Sequence, residues 1–517
     1  MHPGISFVIR PFSASGNPMD LVIIAVYIGA MIGIGFYAKG KAKSESDFLV
    51  AGRRLGPLLY SGTMAAVVIG GASTIGGVGL GYEYGISGMW LVFSIGCGIL
   101  FLSLVFAARI NRAGVYTVSQ FLELRYGRGG SLLSGIVMWA YTLMLAVTST
   151  IAYGTVFGVL FDLGKVPSII IGGALVVTYS VLGGMWSITL TDFVQFVIKT
   201  IGIFFLLLPA ALIKAGGFGG LAEKLPDTAW SLTTIGGGTI VTYFVIYFFG
   251  LVIGQDIWQR VFTARSDKVA KWAGTASGVY CLLYAVAGAL IGMSAKVILP
   301  GLVDKDDAYP EIVEAVLPVG ISGLVIAAAL AAIMSTSSGA LIATATVAKE
   351  DIVSVFRRRR HPVPTPVQEG GEHLTPTQEH DEVSGSRWYI LGFGVLTIVL
   401  ACVISDVIAA LTIAYDILVG GLLVAIIGGM VWKRGTLTGA LASIGAGVVV
   451  TLGTMAVYGY IYANEPIYAG LITSLIAFIA VSLATPPTPE SIRAEWDRRV
   501  NRKRTASTDT PADTPTA

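Results

Sequence analysis

The sequence predicts an all-α membrane protein of thirteen transmembrane helices, and three observations carry that prediction. Hydrophobic residues fill 54% of the 517 positions and charged residues 13%, with a mean hydropathy of +0.77, a composition no soluble domain shares. The apolar residues form long blocks, each near the roughly 20 residues that cross a hydrocarbon core as helix, without the alternation of a barrel strand. The basic residues gather in alternate loops. All three cysteines lie inside apolar blocks and all four histidines outside them, which gives no support to a disulfide framework or a metal cluster.

In order, the spans are 19–38, 57–81, 86–108, 131–160, 165–184, 187–213, 238–256, 269–298, 319–347, 387–405, 407–432, 436–460 and 466–485. The segment before the first contains Pro3, Pro11 and Pro18 and no signal-peptide core. Span one therefore reads as an uncleaved signal anchor, with Met19 an alternative start. An odd count places the termini on opposite sides. With the N-terminus outside, the cytoplasmic loops hold Lys39, Lys41, Lys43, Arg53 and Arg54, then Arg109, Arg112, Arg125 and Arg128, then Arg260, Arg265, Lys268 and Lys271. Arg357 to Arg360, Lys433, Arg434 and the basic tail from Arg493 to Arg504 continue the pattern, while the opposite loops carry the acidic run "DKDD" at 304–307. The positive-inside rule then gives N-out, C-in across the cytoplasmic membrane. The Pro-rich stretch 357–386 and the tail 486–517 read as disordered cytoplasmic segments, the four arginines resting on anionic membrane lipid.

Span two, "PLLYSGTMAAVVIGGASTIGGVGLGYEYG", is dense in glycine, and span seven is interrupted by Gly250 and Gly254. Glycine-broken helices at matching positions of two five-span halves point to an inverted-repeat transporter with its site at the midplane. Span nine carries four consecutive hydroxyls, Ser335, Thr336, Ser337 and Ser338. At about 100° per residue they fan around the helix and cannot all hide against one neighbour. Hydroxyls and carbonyls freed by a break are the uncharged oxygens that hold a hard monovalent cation.

From Met19 to about Pro487 the chain resembles the sodium:solute symporters. The resemblance rests on "DFLVAGRRLG", "GGASTIGGVGLGY", "YSVLGGMWSITLTDFVQ", "GQDIWQR", "AAIMSTSSG" and "ILVGGLL". It implies a leucine-transporter-like core of ten helices within 57–432, with a peripheral first helix and two peripheral C-terminal helices at 436–485. It also implies a transported sodium ion on the carbonyls of Ala66, Ile69 and Ala332 and the hydroxyls of Ser335 and Thr336. Asp192, with Ser338, matches a second sodium site or an exit relay; Gly339 replaces one hydroxyl expected there, so one sodium is expected rather than two. Ser73, Gln255, Tyr243 and Tyr247 fall where substrate contacts are expected.

Lys199 lies seven residues after Asp192, on the same helical face and about 10 Å deeper. An unpaired charge at that depth costs at least about 2.5 kcal/mol, which leaves three readings: pairing with Asp192 through water, meeting a substrate carboxylate, or standing in for sodium. Asp416 faces a cavity or caps a local break, and Gln255 and Asp256 end span seven. The expected function is sodium-coupled uptake of a small solute, an organic acid, amino acid or similar polar molecule. The rivals are a proton-coupled or sodium-independent transporter using Lys199 and a membrane nutrient sensor. No enzymatic constellation, nucleic-acid partner or obligate protein partner is implied.

Overall fold

The computed structural model describes residues 18–161, 163–355, 376–404, 407–459 and 464–501. Its helices are α1 (Pro18–Lys39), α2 (Pro57–Val68), α3 (Gly77–Tyr84), α4 (Trp90–Phe101), α5 (Val118–Tyr126), α6 (Ser131–Phe161) and α7 (Lys165–Thr200). The second half holds α8 (Gly237–Ile253), α9 (Gln255–Val261), α10 (Asp267–Ile298), α11 (Ile321–Val347), α12 (Pro376–Val403), α13 (Val407–Val431), α14 (Leu437–Tyr458), α15 (Glu465–Ala484) and α16 (Glu490–Trp496). Local chemistry starts several of them. Pro57 sits in the first turn of α2 after Gly56, and Ser266 and Thr436 cap α10 and α14 by accepting from the backbone N–H of Val269 and Gly439.

Among the described residues, ten helical runs are long and apolar enough to cross a membrane, eleven with the bent pair Gly237–Ile253 and Gln255–Val261 counted as one. The thirteen expected spans are not reached by that count, because two runs are too long for one pass. Ala72–Ala113 has 42 residues and Lys165–Ala215 has 51, against the roughly 20 that a bilayer needs. Each contains a glycine with positive φ, Gly85 in the first and Gly184 in the second. A Cβ at Gly184 would stand 2.5 Å from the Phe48 carbonyl oxygen, so only glycine permits the chain to change direction there.

Burial sorts the bundle. The Ile321–Val353 run is 89% buried, whereas the α1, α14 and α15 windows are 28% buried and face outward. Small side chains from Ala327 to Ala332 allow neighbours to approach α11 closely. A short parallel bridge, Leu55 N–H to Thr263 C=O at 3.0 Å and Arg265 N–H to Leu55 C=O at 3.1 Å, ties the entry of α2 to the exit of α9. The ends of the two broken spans are thereby joined.

Two boundaries differ from expectation. The segment expected to be disordered through residue 386 is already helical from Pro376. The tail expected to be disordered from residue 486 forms α16, whose Trp496 packs edge-on against Phe121 of α5 at 4.8 Å. Arg125 also lies over the Trp496 ring at 5.9 Å, and Val500 beyond it is fully buried, so the segment is held at several points. The arginine run 357–360 and the segments 1–17 and 502–517 lie outside the described residues.

Candidate transport site at the helix break

α2 ends at Val68, and Ile69 (φ −90°, ψ 82°) leaves helical geometry before a π-helical turn, Ala72–Gly76, leads into α3. The break frees carbonyls that a continuous helix would consume. Each finds a donor. Ser335 Oγ donates to Ala66 O at 2.7 Å, Thr336 Oγ1 to Val67 O at 2.8 Å, and Ser73 Oγ to Val68 O at 3.3 Å. Ser337 Oγ lies 3.4 Å from Thr150 Oγ1, and Ser338 Oγ donates back to Ser335 O. The four hydroxyls of α11 thus divide between the break, α6 and their own helix.

The fourth donor to the break is Lys199. Its ammonium, 0% exposed, donates to Ala66 O at 2.9 Å, Ile69 O at 3.0 Å and Ser335 Oγ at 3.3 Å. Three acceptors match the three N–H bonds of an ammonium. Ala332 O, one turn back, lies 3.0 and 3.4 Å from the Ser335 and Thr336 hydroxyl oxygens. Of the five oxygens matched to a sodium site, three, Ala66 O, Ile69 O and Ser335 Oγ, hold a side-chain cation. A sodium ion on the same two carbonyls would compete with the ammonium for its own position. This cluster holds one cation at a time.

Asp192 is paired elsewhere than with Lys199. Its Oδ2 accepts from Thr63 Oγ1 at 2.5 Å and from Arg260 at 3.1 Å, and both members of the ion pair are fully buried. Arg260 was expected in a cytoplasmic loop; it lies inside the bundle, and its guanidinium also donates to the Asp256 backbone carbonyl at 3.0 Å. Gly339 explains the fit, since a Cβ there would stand 2.6 Å from the Arg260 guanidinium. The glycine that replaces a hydroxyl makes room for an arginine. The signal in the sequence was the pairing of "QR", one turn past the Gly254 break, with that glycine.

Beside the break lies a small cavity bounded by Ser73, Thr336, Thr148, Tyr247, Tyr415 and Asp256 among apolar neighbours. Of the expected substrate contacts, Ser73 and Tyr247 line it. Tyr243 does not, and packs at a tilt against Tyr247, with ring centroids 5.6 Å apart. Gln255 is also off the wall: its Oε1 accepts from Val118 N–H at 2.8 Å and its Nε2 donates to Tyr116 O at 3.0 Å, anchoring the start of α5. Lys199 is absent from the lining too, so it offers no positive charge to a solute there. Asp416 is buried, and among the described residues neither of its carboxylate oxygens has a hydrogen-bond partner.

A family model described as the sodium:solute symporter family matches residues 48–447. The chain belongs to the sodium:solute symporter family. This symporter is therefore a transporter and not an enzyme, of a family that moves solutes with sodium. It is 26% identical to the high-affinity proline transporter PutP of Bacillus subtilis, over 90% of this chain and 98% of that one. It is 24% identical to the sodium/glucose cotransporter of Vibrio parahaemolyticus, over 84% of each chain. Among solved structures, a substrate-bound, outward-open Na⁺-coupled sialic acid symporter superimposes with a TM-score of 0.73 at 19% identity, covering 91% of this chain and 99% of that one. Mhp1, a nucleobase-cation-symport-1 family transporter in a closed conformation, gives 0.55 at 16% identity over 88% and 98%. These similarities share the helical fold of sodium symporters with this chain.

Proposed function

We propose that this symporter carries a small organic solute into the cell together with sodium by alternating access, the solute entering the cavity beside the break. Coupling takes place at the oxygen cluster of Ala66, Ile69, Ala332, Ser335 and Thr336. The observation that supports this reading is that two freed carbonyls of the break and the Ser335 hydroxyl of α11 surround one positive charge, the Lys199 ammonium. For sodium to take those oxygens, Lys199 withdraws along its helical face towards Asp192. Sodium and ammonium then alternate, and the ion biases the conformational equilibrium through its differential affinity for the state in which Lys199 has left. Splitting the two long runs at Gly85 and Gly184 gives thirteen crossings, with the N-terminus outside and the C-terminus in the cytoplasm.

One observation favours a second reading. The ammonium satisfies its three donors on the cluster, and in this reading it stays there throughout, making transport proton-driven or independent of sodium. Binding of radioactive sodium to the purified protein separates the two. Under the first reading the wild type binds sodium and the double variant Ser335→Ala, Thr336→Ala does not. Under the second the wild type binds none, and Lys199→Ala gains binding because the oxygens are vacated. The same proteins in liposomes, with an inward sodium gradient, an inward proton gradient or neither, provide the transport counterpart.

A further inference from the structure

We propose that Asp256 is the residue that selects the solute, and that the solute carries an ammonium or other cationic nitrogen on a small apolar body. The inference rests on the reading of the cavity beside the break as the solute site. Asp256 stands in the first turn of α9, just past the Gly254 break, and is 3% exposed. Among the residues lining the cavity it alone bears a charge. One carboxylate oxygen, Oδ1, accepts from Tyr141 Oη at 3.0 Å. Among the described residues no basic side chain forms an ion pair with it: Arg260, four residues on, gives its side-chain ion pair to Asp192 and reaches only the backbone carbonyl of Asp256. A buried carboxylate on a cavity wall, whose neighbouring guanidinium is committed to the ion pair with Asp192, has room for a second positive charge brought by a solute.

The neighbouring wall suits a cation as well. Tyr141 packs edge-on against Tyr415 at 5.5 Å, and Tyr415 against Tyr247 at 5.4 Å, with Tyr415 and Tyr247 on the cavity surface. Tyrosine faces attract ammonium groups through the ring quadrupole. Leu145, Leu251 and Leu411 supply the apolar remainder of the lining. Lys199, the group whose charge argued for an anionic solute, is engaged at the break. A carboxylate, an aromatic wall and no lining cation together recognise positive charge.

The test uses the full-length protein in detergent and three probes of one shape: isopentylammonium, isopentyl alcohol and isovalerate. Thermal stabilisation is followed against probe concentration for wild type and Asp256→Asn, with no sodium gradient required. The ammonium should stabilise the wild type with an apparent Kd about tenfold or more below that of the alcohol, the advantage of a charge-assisted hydrogen bond. Asp256→Asn should erase that preference. Equal response to the three probes, or preference for isovalerate, overturns the inference and leaves the cavity as a solute site. Silence towards all three overturns the cavity reading along with it. The ranking on wild type decides the matter even if the variant does not fold, and Tyr141→Phe should weaken ammonium binding while keeping the order of the probes.

Discussion

The buried pair Asp192 and Arg260 shows how single residues set the terms of this site. Both side chains are 0% exposed, and among the described residues Asp192 Oδ1 has no hydrogen-bond partner of its own. Removing one member of such a pair strands the other in a low dielectric, at a cost of about 3–5 kcal/mol. Asp192→Asn is accordingly expected to lower the unfolding temperature of the detergent-solubilised protein strongly. Asp192→Asn combined with Arg260→Met should lose less than the two single changes added together, because neither charge is left alone. Additive losses would mean that the two side chains do not interact as the 3.1 Å contact indicates. Lys199 works differently: its charge is spread over backbone and hydroxyl dipoles, and no carboxylate is in hydrogen-bonding range.

Within the helices, the breaks are where function is made possible. α2 and α3 are separated by Ile69, two glycines and the π-helical turn Ala72–Gly76, and α8 and α9 by Gly254, which adopts extended backbone (φ −65°, ψ 134°) and leaves the Val252 carbonyl to the Trp258 indole N–H at 2.8 Å. A different kind of interruption divides α7. Gly184, at φ 53° and ψ −138°, occupies a region that is essentially glycine-only, where another residue costs roughly 1–3 kcal/mol. Gly184→Ala should therefore reduce thermal stability or yield of folded protein. Gly33→Ala on α1, where a Cβ would meet nothing within 4 Å, should be neutral and serves as the control. Similar behaviour of the two variants would argue that α7 does not turn at Gly184.

For the whole molecule, the proposed thirteen crossings make a sharp statement about the Lys165–Ala215 run. If it passes twice, Lys165 and Lys214 lie on the same side of the membrane; a single tilted helix would put them on opposite sides. In a background without Cys97, Cys281 and Cys402, Lys165→Cys and Lys214→Cys should both react with an impermeant maleimide added outside intact cells. Labelling of one from outside and the other only after permeabilisation would sink the topology.

The class of the molecule, its broken spans and the meeting of α11 with the first break were readable from composition, glycine density and four adjacent hydroxyls, because bilayer thickness and backbone hydrogen bonding act locally along the chain. Which cations stand at that meeting was not readable. Arg260 looked like a loop residue because its place inside the bundle depends on the missing side chain of Gly339, 79 positions later. Gln255 looked like a solute contact, yet it serves the start of α5, and Asp256 looked like the polar end of a helix, yet it lines the cavity. The sequence by itself determined that freed oxygens and a lysine lie at membrane depth. Only the tertiary structure decided that the lysine sits on those oxygens, since that depends on how α7, α11 and α2 pack against one another, and no single helix carries that information.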